Sequence, residues 1–173
     1  MPSPSIILGI DPGTQTTGYG VIRHHSHRFE TIDYGCIRPP RSLDLPQKLL
    51  ILFNAIDSLL ERFQPDAVSV ETQFVYKNVQ TAIKLGMARG SVLLAASRRN
   101  IPIFEYAPKK AKIAVVGTGL ASKEQVQKMV QFLLKLPMLP EPEDAADALA
   151  LAICHANSQK TILIKRPDHV RVH

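Results

Sequence analysis

Two short apolar runs in this chain each end in a carboxylate: Ser5–Ile10 (SIILGI) stops at Asp11, and Ala67–Val70 (AVSV) stops at Glu71. Runs of this length, without the polar alternation of a half-wet strand, belong to strands covered on both faces. The chain is therefore expected to build a central sheet sandwiched by helices, with an acid delivered to the end of each of two inner strands. Asp11-Pro12-Gly13 supplies the turn after the first run.

The rest of the pattern fits that frame. Residues 18–22 (GYGVI) and 28–37 (RFETIDYGCI) read as two further strands joined by a polar turn at His24–His27, giving an antiparallel meander. Leu45, Leu49, Leu52, Phe53, Ile56, Leu60 and Phe63 recur at helical spacing, so 45–63 is an amphipathic helix, ended by Pro65-Asp66. Residues 78–99 form a helix rich in small residues, whose Gly86 and Gly90 cost about 1 kcal/mol each against Ala. Such glycines are best tolerated where another backbone comes close, so this helix is expected to meet a partner. Ile101–Tyr106 is a third buried strand. Ser122 with Gln125 makes a capping box for a helix over 122–136, with Val126, Met129, Val130 and Leu133 on its apolar face. A link at Pro137–Pro142 leads into an alanine-rich helix, Glu143–Ala156, and then a basic, poorly patterned tail. The expected architecture is one α/β domain over residues 1–157 with a mixed sheet, followed by a flexible tail, 158–173.

A length of 173 residues with 45% hydrophobic composition supports one domain with a real core. No run approaches the roughly 18 apolar residues of a membrane span, and the N-terminus has no basic stretch of a secretory signal. Cys36 and Cys154 lie far apart among apolar neighbours and read as free thiols of a reducing cytoplasm. Charge is unevenly placed. Residues 98–136 carry a net +6 (Lys109, Lys110, Lys112 and Lys123 among them), whereas residues 137–156 carry −4, within a chain total of +6. A basic segment beside an acidic one suggests a polyanion held next to a cation site, although a solvated basic face without a partner would carry the same charges.

The acidic positions sharpen this. Asp11 and Glu71 end strands, while Asp144 and Asp147, at i and i+3, share one face of the last helix. Asp147 interrupts the run AADALALAI with no Lys or Arg nearby in sequence to pair with it. An all-oxygen set of this kind suits Mg²⁺ or Mn²⁺, and two such ions can clamp a phosphoryl centre. Each acid taken singly also fits a capping role, Asp11 at a turn and Asp144 at a helix start. Together, beside the basic segment, they favour the metal reading. Lys123 opens a helix whose free N–H groups also favour phosphate. Thr72–Asn78 carries Phe74, Tyr76 and Lys77 in an exposed loop suited to unstacked bases and phosphates, with core packing as the alternative for Phe74.

Other signals are weaker. His24, His25 and His27 lie in a hairpin turn with no fourth ligand. Val116-Gly117-Thr118-Gly119 lacks the Lys-Ser/Thr of a phosphate loop and reads as a bend, and Lys165-Arg166-Pro167 reads as solvating tail.

Five blocks in order, GIDPGTQTTGYGVI, VSVETQFVYKN, AIKLGMARGSVLLAA, VVGTGLASKEQVQKMV and EPEDAADALALAICHA, resemble the RuvC-type Holliday junction resolvases, which are crossover-junction endodeoxyribonucleases. The resemblance covers residues 5–157 and implies an RNase H-like fold with a five-stranded mixed sheet flanked by helices. It implies that Asp11, Glu71, Asp144 and Asp147 are catalytic acids holding two Mg²⁺ ions, with Mn²⁺ as a substitute. It places Lys112 and Lys123 near the scissile strand and gives Phe74 a role inserting into or stacking at the junction. Lys109 and Lys110 strengthen the same basic patch by their position, with solvated surface lysines as the equal alternative. The resemblance implies a homodimer through helix 78–99, paired symmetric nicks in four-way junction DNA leaving 5′-phosphate and 3′-hydroxyl ends, and partnership with a branch-migration motor and its junction-binding subunit in recombination and repair. Two rival readings are a non-catalytic junction-binding protein, whose expected signature is the loss of an acid, and an actin-like ATPase built on the Asp11-x-Gly13 turn.

Overall fold

The computed structural model describes residues 4–26, 28–72 and 78–164. Strands β1 (Ser5–Asp11), β2 (Thr17–His25) and β3 (Arg28–Ile37) form the antiparallel meander, and α1 (Leu45–Phe63) leads back to β4 (Ala67–Glu71). Then come α2 (Val79–Arg98), β5 (Ile103–Tyr106), α3 (Pro108–Val116), α4 (Lys123–Leu134) and α5 (Glu143–Ile164). The sheet runs β3-β2-β1-β4-β5, with β4 parallel to both β1 and β5. This is the five-stranded mixed sheet expected from the sequence.

Alternation along the strands decides which face each residue serves. Leu8 and Ile10 of β1, Val21 of β2, and Val68 and Val70 of β4 pack against Leu52, Ile56 and Leu60 of α1 and Ala88, Val92 and Ala95 of α2. On the opposite face, Ile7 and Ile22 pack against Val126 and Val130 of α4 and Leu149, Ala152 and Ile153 of α5. Burial of each such aliphatic side chain contributes about 1.5–3 kcal/mol. Asp11, four residues after Ile7, and Glu71, one after Val70, fall on the α5 face by the same alternation.

Close approach of α5 depends on missing side chains. A Cβ on Gly9 would overlap the Ala148 carbonyl, and one on Gly20 would meet Leu149. Ser69 of β4, fully buried, donates from Oγ to the Leu151 carbonyl at 2.8 Å and fastens the same helix from the other side.

Several boundaries differ from the sequence reading. β5 begins at Ile103 rather than Ile101: Pro102 has no N–H to give the ladder and contributes only its carbonyl, which accepts from Val68 N at 2.9 Å. The Ser122–Gln125 capping box is present, but α4 stops at Leu134, where Lys135 turns left-handed (φ 53°). α3 was not expected at all: Pro108 starts it and left-handed Gly117 (φ 86°) ends it. α5 continues past Ala156 to Ile164, into the segment read as tail. His24 lies inside β2, stacked on Phe29, rather than in the turn. A Cβ on Gly86 or Gly90 would meet open space, so among the described residues no backbone packs on them.

Candidate active site

The parallel pairing of β1 and β4 sets Ile10 beside Val70, so the residues that follow, Asp11 and Glu71, emerge side by side. α5 crosses the ends of these strands and brings Asp147 to the same place. A cleft of about 290 Å³ is lined by Asp11, Glu71, Asp147, Lys112 and Lys123, with Ala111, Val126 and Leu151 among its apolar walls. Asp144 stands one helical turn earlier, outside the lining but within electrostatic reach of Asp11 and Lys123.

Burial makes this cluster unfavourable as bare carboxylates. Asp11 is pushed up to about 8, first by burial, then by the charges of Glu71, Asp147 and Asp144, against a smaller opposing effect of Lys123. Glu71 is raised by burial and by Asp147, offset in part by Lys123 and by a hydrogen bond from Asp11. Burial and like charge thus make Asp11 far readier than an ordinary aspartate to keep its proton. Asp147 is raised by burial, with Lys123 opposing. The sequence offered no neighbour for Asp147. In the fold, Lys123 and Lys112 supply the positive charge near it.

The donor chemistry fits hard divalent cations: carboxylate oxygens only, mutually repelling, and relieved by added positive charge. Among the described residues no three His, Cys, Asp or Glu side chains already stand in ligating arrangement. Binding of such an ion would be coupled to deprotonation of these carboxyls.

The four described lysines expected at DNA divide into two pairs. Lys112 and Lys123 reach the cleft, Lys112 donating from Nζ to the Ala121 carbonyl at 3.0 Å and Lys123 standing 3.2 Å from Glu143. Lys110 turns its ammonium over the Tyr106 ring, 4.8 Å from the centroid, and the Lys109 stem lies against Gly119. Phe74, Tyr76 and Lys77 lie outside the described residues. Two contributors were missed in the sequence. Glu143 pairs with Lys123, and its position next to Asp144 was the available signal. Cys36 of β3 lies near Asp144 and accepts from the Ala145 backbone, its thiol pushed up chiefly by burial. No linear signal pointed to it.

Comparison with known proteins decides the family. The family model "Crossover junction endodeoxyribonuclease RuvC" matches residues 7–155. The chain belongs to the RuvC family. The crossover junction endodeoxyribonuclease RuvC of Protochlamydia amoebophila is 61% identical over 156 residues, covering 90% of this chain and 93% of the relative. That of Vibrio vulnificus is 50% identical over 159 residues, covering 92% and 91%. Among solved structures, T. thermophilus RuvC in complex with Holliday junction substrate superposes with a TM-score of 0.86 at 34% identity, covering 91% of this chain and 96% of that one. The sheet and its flanking helices are thus the RNase H-like fold of RuvC, and the family match runs through Asp11, Glu71, Asp144 and Asp147 alike.

Proposed function

We propose that this RuvC-family chain is a homodimeric endodeoxyribonuclease that resolves four-way DNA junctions by paired symmetric nicks, with Asp11, Glu71, Asp144 and Asp147 as its catalytic acids. The observation that carries the reading is the convergence of Asp11, Glu71 and Asp147 in one cleft rimmed by Lys112 and Lys123. All four acids are present, against the signature of a binding-only relative, and the family match leaves no support for an actin-like ATPase.

The four carboxylates would hold two Mg²⁺ ions, or Mn²⁺, which when bound supply Lewis acidity at the phosphorus and lower the pKa of a water. The protein's own part is charge and position. Asp11, Glu71 and Asp147, raised by burial in the cleft, would hold the ions as carboxylates, which makes loading favoured by rising pH. Lys123 and the free N–H groups at the start of α4 hold the phosphate whose P–O3′ bond breaks. Water adds hydroxyl to phosphorus and its proton ends on the 3′ oxygen, leaving 5′-phosphate and 3′-hydroxyl ends. Phe74 and Tyr76 are assigned to unstacked bases, and Lys77, Lys109 and Lys110 to flanking phosphates.

Support for the dimer comes from α2. Val79, Ile83, Met87 and Leu94 are exposed on it, and Gly86 and Gly90 sit over open space at a cost in helix propensity that no contact among the described residues offsets. A two-fold assembly suits a substrate cut on two opposed strands. No described helix is long and apolar enough to cross a membrane, and both cysteines are free thiols, in keeping with action in the cytoplasm beside a branch-migration motor and its junction-binding subunit.

The test is an end-labelled four-way junction with a mobile core, incubated with Mg²⁺, with EDTA, and with Asp11→Asn. Paired, ligatable nicks in Mg²⁺ alone are expected. Tight binding without nicks, across varied core sequences, would leave a junction-binding protein instead.

A further inference from the structure

Lys123 is divided between two sets of acids. Its Nζ lies 3.2 Å from Oε2 of Glu143, which stands outside the cleft, while Asp147 and Asp144 attract it from the catalytic side. Lys112, the other cleft lysine, donates to a neutral carbonyl at Ala121 and has only the cleft acids Glu71 and Asp147 as its charged neighbours among the interactions seen. Glu143 opens α5 next to Asp144 and lines a shallow surface depression with Gln127, Glu141 and Pro142, none of them basic. Both side chains of the Lys123–Glu143 pair are more than half exposed, at 64% and 57%. An ion pair this wet is weakly held, and a phosphate presenting several anionic oxygens to the same ammonium can displace it.

We propose that Glu143 is a displaceable counter-ion that holds Lys123 back from DNA until a backbone phosphate takes its place, and so sets how tightly the cleft grips a junction. The proposal rests on the reading that Lys123 meets phosphate. Glu143 touches no reacting atom in this scheme. It acts through Lys123 alone, by competing with phosphate for its ammonium, so the ion pair lowers affinity for nucleic acid.

A double-mutant cycle tests this. Binding of a labelled four-way junction in EDTA is measured over a range of salt concentrations for the full chain, Glu143→Gln, Lys123→Met and the double variant. Glu143→Gln is expected to tighten binding roughly two- to fivefold, the ceiling of an exposed ion pair. Lys123→Met is expected to weaken binding and flatten the salt dependence by about one ion. In the double variant the gain from Glu143→Gln should vanish. An equal gain in both backgrounds would reduce Glu143 to a bulk charge and overturn the proposal, as would no gain at all. Lys123→Met binding like the parent, salt slope included, would overturn the assignment of Lys123 and the counter-ion with it. Failure of the unaltered chain to bind any junction would instead strike the proposed function.

Discussion

Gly18 lies so close beneath the main chain of Asp144 that a methyl group built on it would overlap the Asp144 carbonyl oxygen. Gly18 is also the cross-strand partner of Asp11. One glycine therefore fixes the spacing between the strand-borne and the helix-borne acids. The clash would be with backbone, which cannot swing aside, so Gly18→Ala must lift the start of α5. It is expected to destabilise the fold by about 1–3 kcal/mol. It should cut junction nicking far more than junction binding. Thermal melting beside binding and cleavage assays checks both parts, and unchanged nicking would show that the acids tolerate a shift in α5.

The strand ends and the acids were legible because they depend on short-range patterns. Apolar runs ending in Asp11 and Glu71 need only alternation to place those side chains on one face. α3 was missed because only Ala111 and Val115 of its nine residues are buried, too few to make a period, although Pro108 and Gly117 marked its ends. Contacts set by the angle between helices left no linear trace. The Lys123–Glu143 pair spans 20 residues, and Lys112 reads as a DNA lysine in sequence while its ammonium is bonded to Ala121 in the fold. His155 was absorbed into an alanine-rich helix because its partners Tyr106 and Phe104 come from β5.

Lys112 braces the turn between α3 and α4 through its bond to Ala121, and that turn delivers Lys123 and the start of α4 to the cleft. Lys112→Met would leave a partly buried carbonyl without its donor, a local cost of about 1–3 kcal/mol. Faster hydrogen exchange at residues 117–122 and slower cleavage at saturating DNA are the expected outcome. Lys123→Met should leave the exchange of that turn unchanged. Identical exchange in both variants would deny Lys112 its bracing role.

His155 is almost fully buried, its Nδ1 2.8 Å from the Tyr106 hydroxyl and its Nε2 2.9 Å from the Gln159 amide nitrogen. The amide N–H donates to Nε2, so the ring is neutral with Nδ1–H donating to Tyr106. Burial lowers its pKa to about 4, against 6.5 in the unfolded chain. The native state thus resists a proton that the unfolded chain accepts. This contribution to stability is complete above pH 6.5 and is lost as pH falls towards 4. His155→Phe should begin with a lower melting temperature and show a shallower decline between pH 6.5 and 4.5 than the parent. Parallel declines would mean that other groups govern the acid limb.

The cleft acids act in the opposite sense. Without a divalent cation, folded Asp11 holds its proton up to about 8, whereas the unfolded chain releases it near 3.8. Its contribution is therefore present below about pH 4 and is lost as pH rises to 8, with Glu71 and Asp147 shifted in the same direction. Below pH 6.5 the gain from neutral His155 works against this loss, so the effect of the acids is separated from that of His155 only between 6.5 and 8. In EDTA the melting temperature is expected to fall across that window, and Asp11→Asn, which removes the charge, should melt higher than the parent at pH 8 with a flatter profile. Mg²⁺ should recover the loss in the parent, because a ligand of the folded state alone stabilises it by mass action, and should recover little in the variant. A parent melting temperature indifferent to both pH and Mg²⁺ over this range would mean that the carboxylates neither repel one another nor share an ion, and that the cleft is not the metal centre.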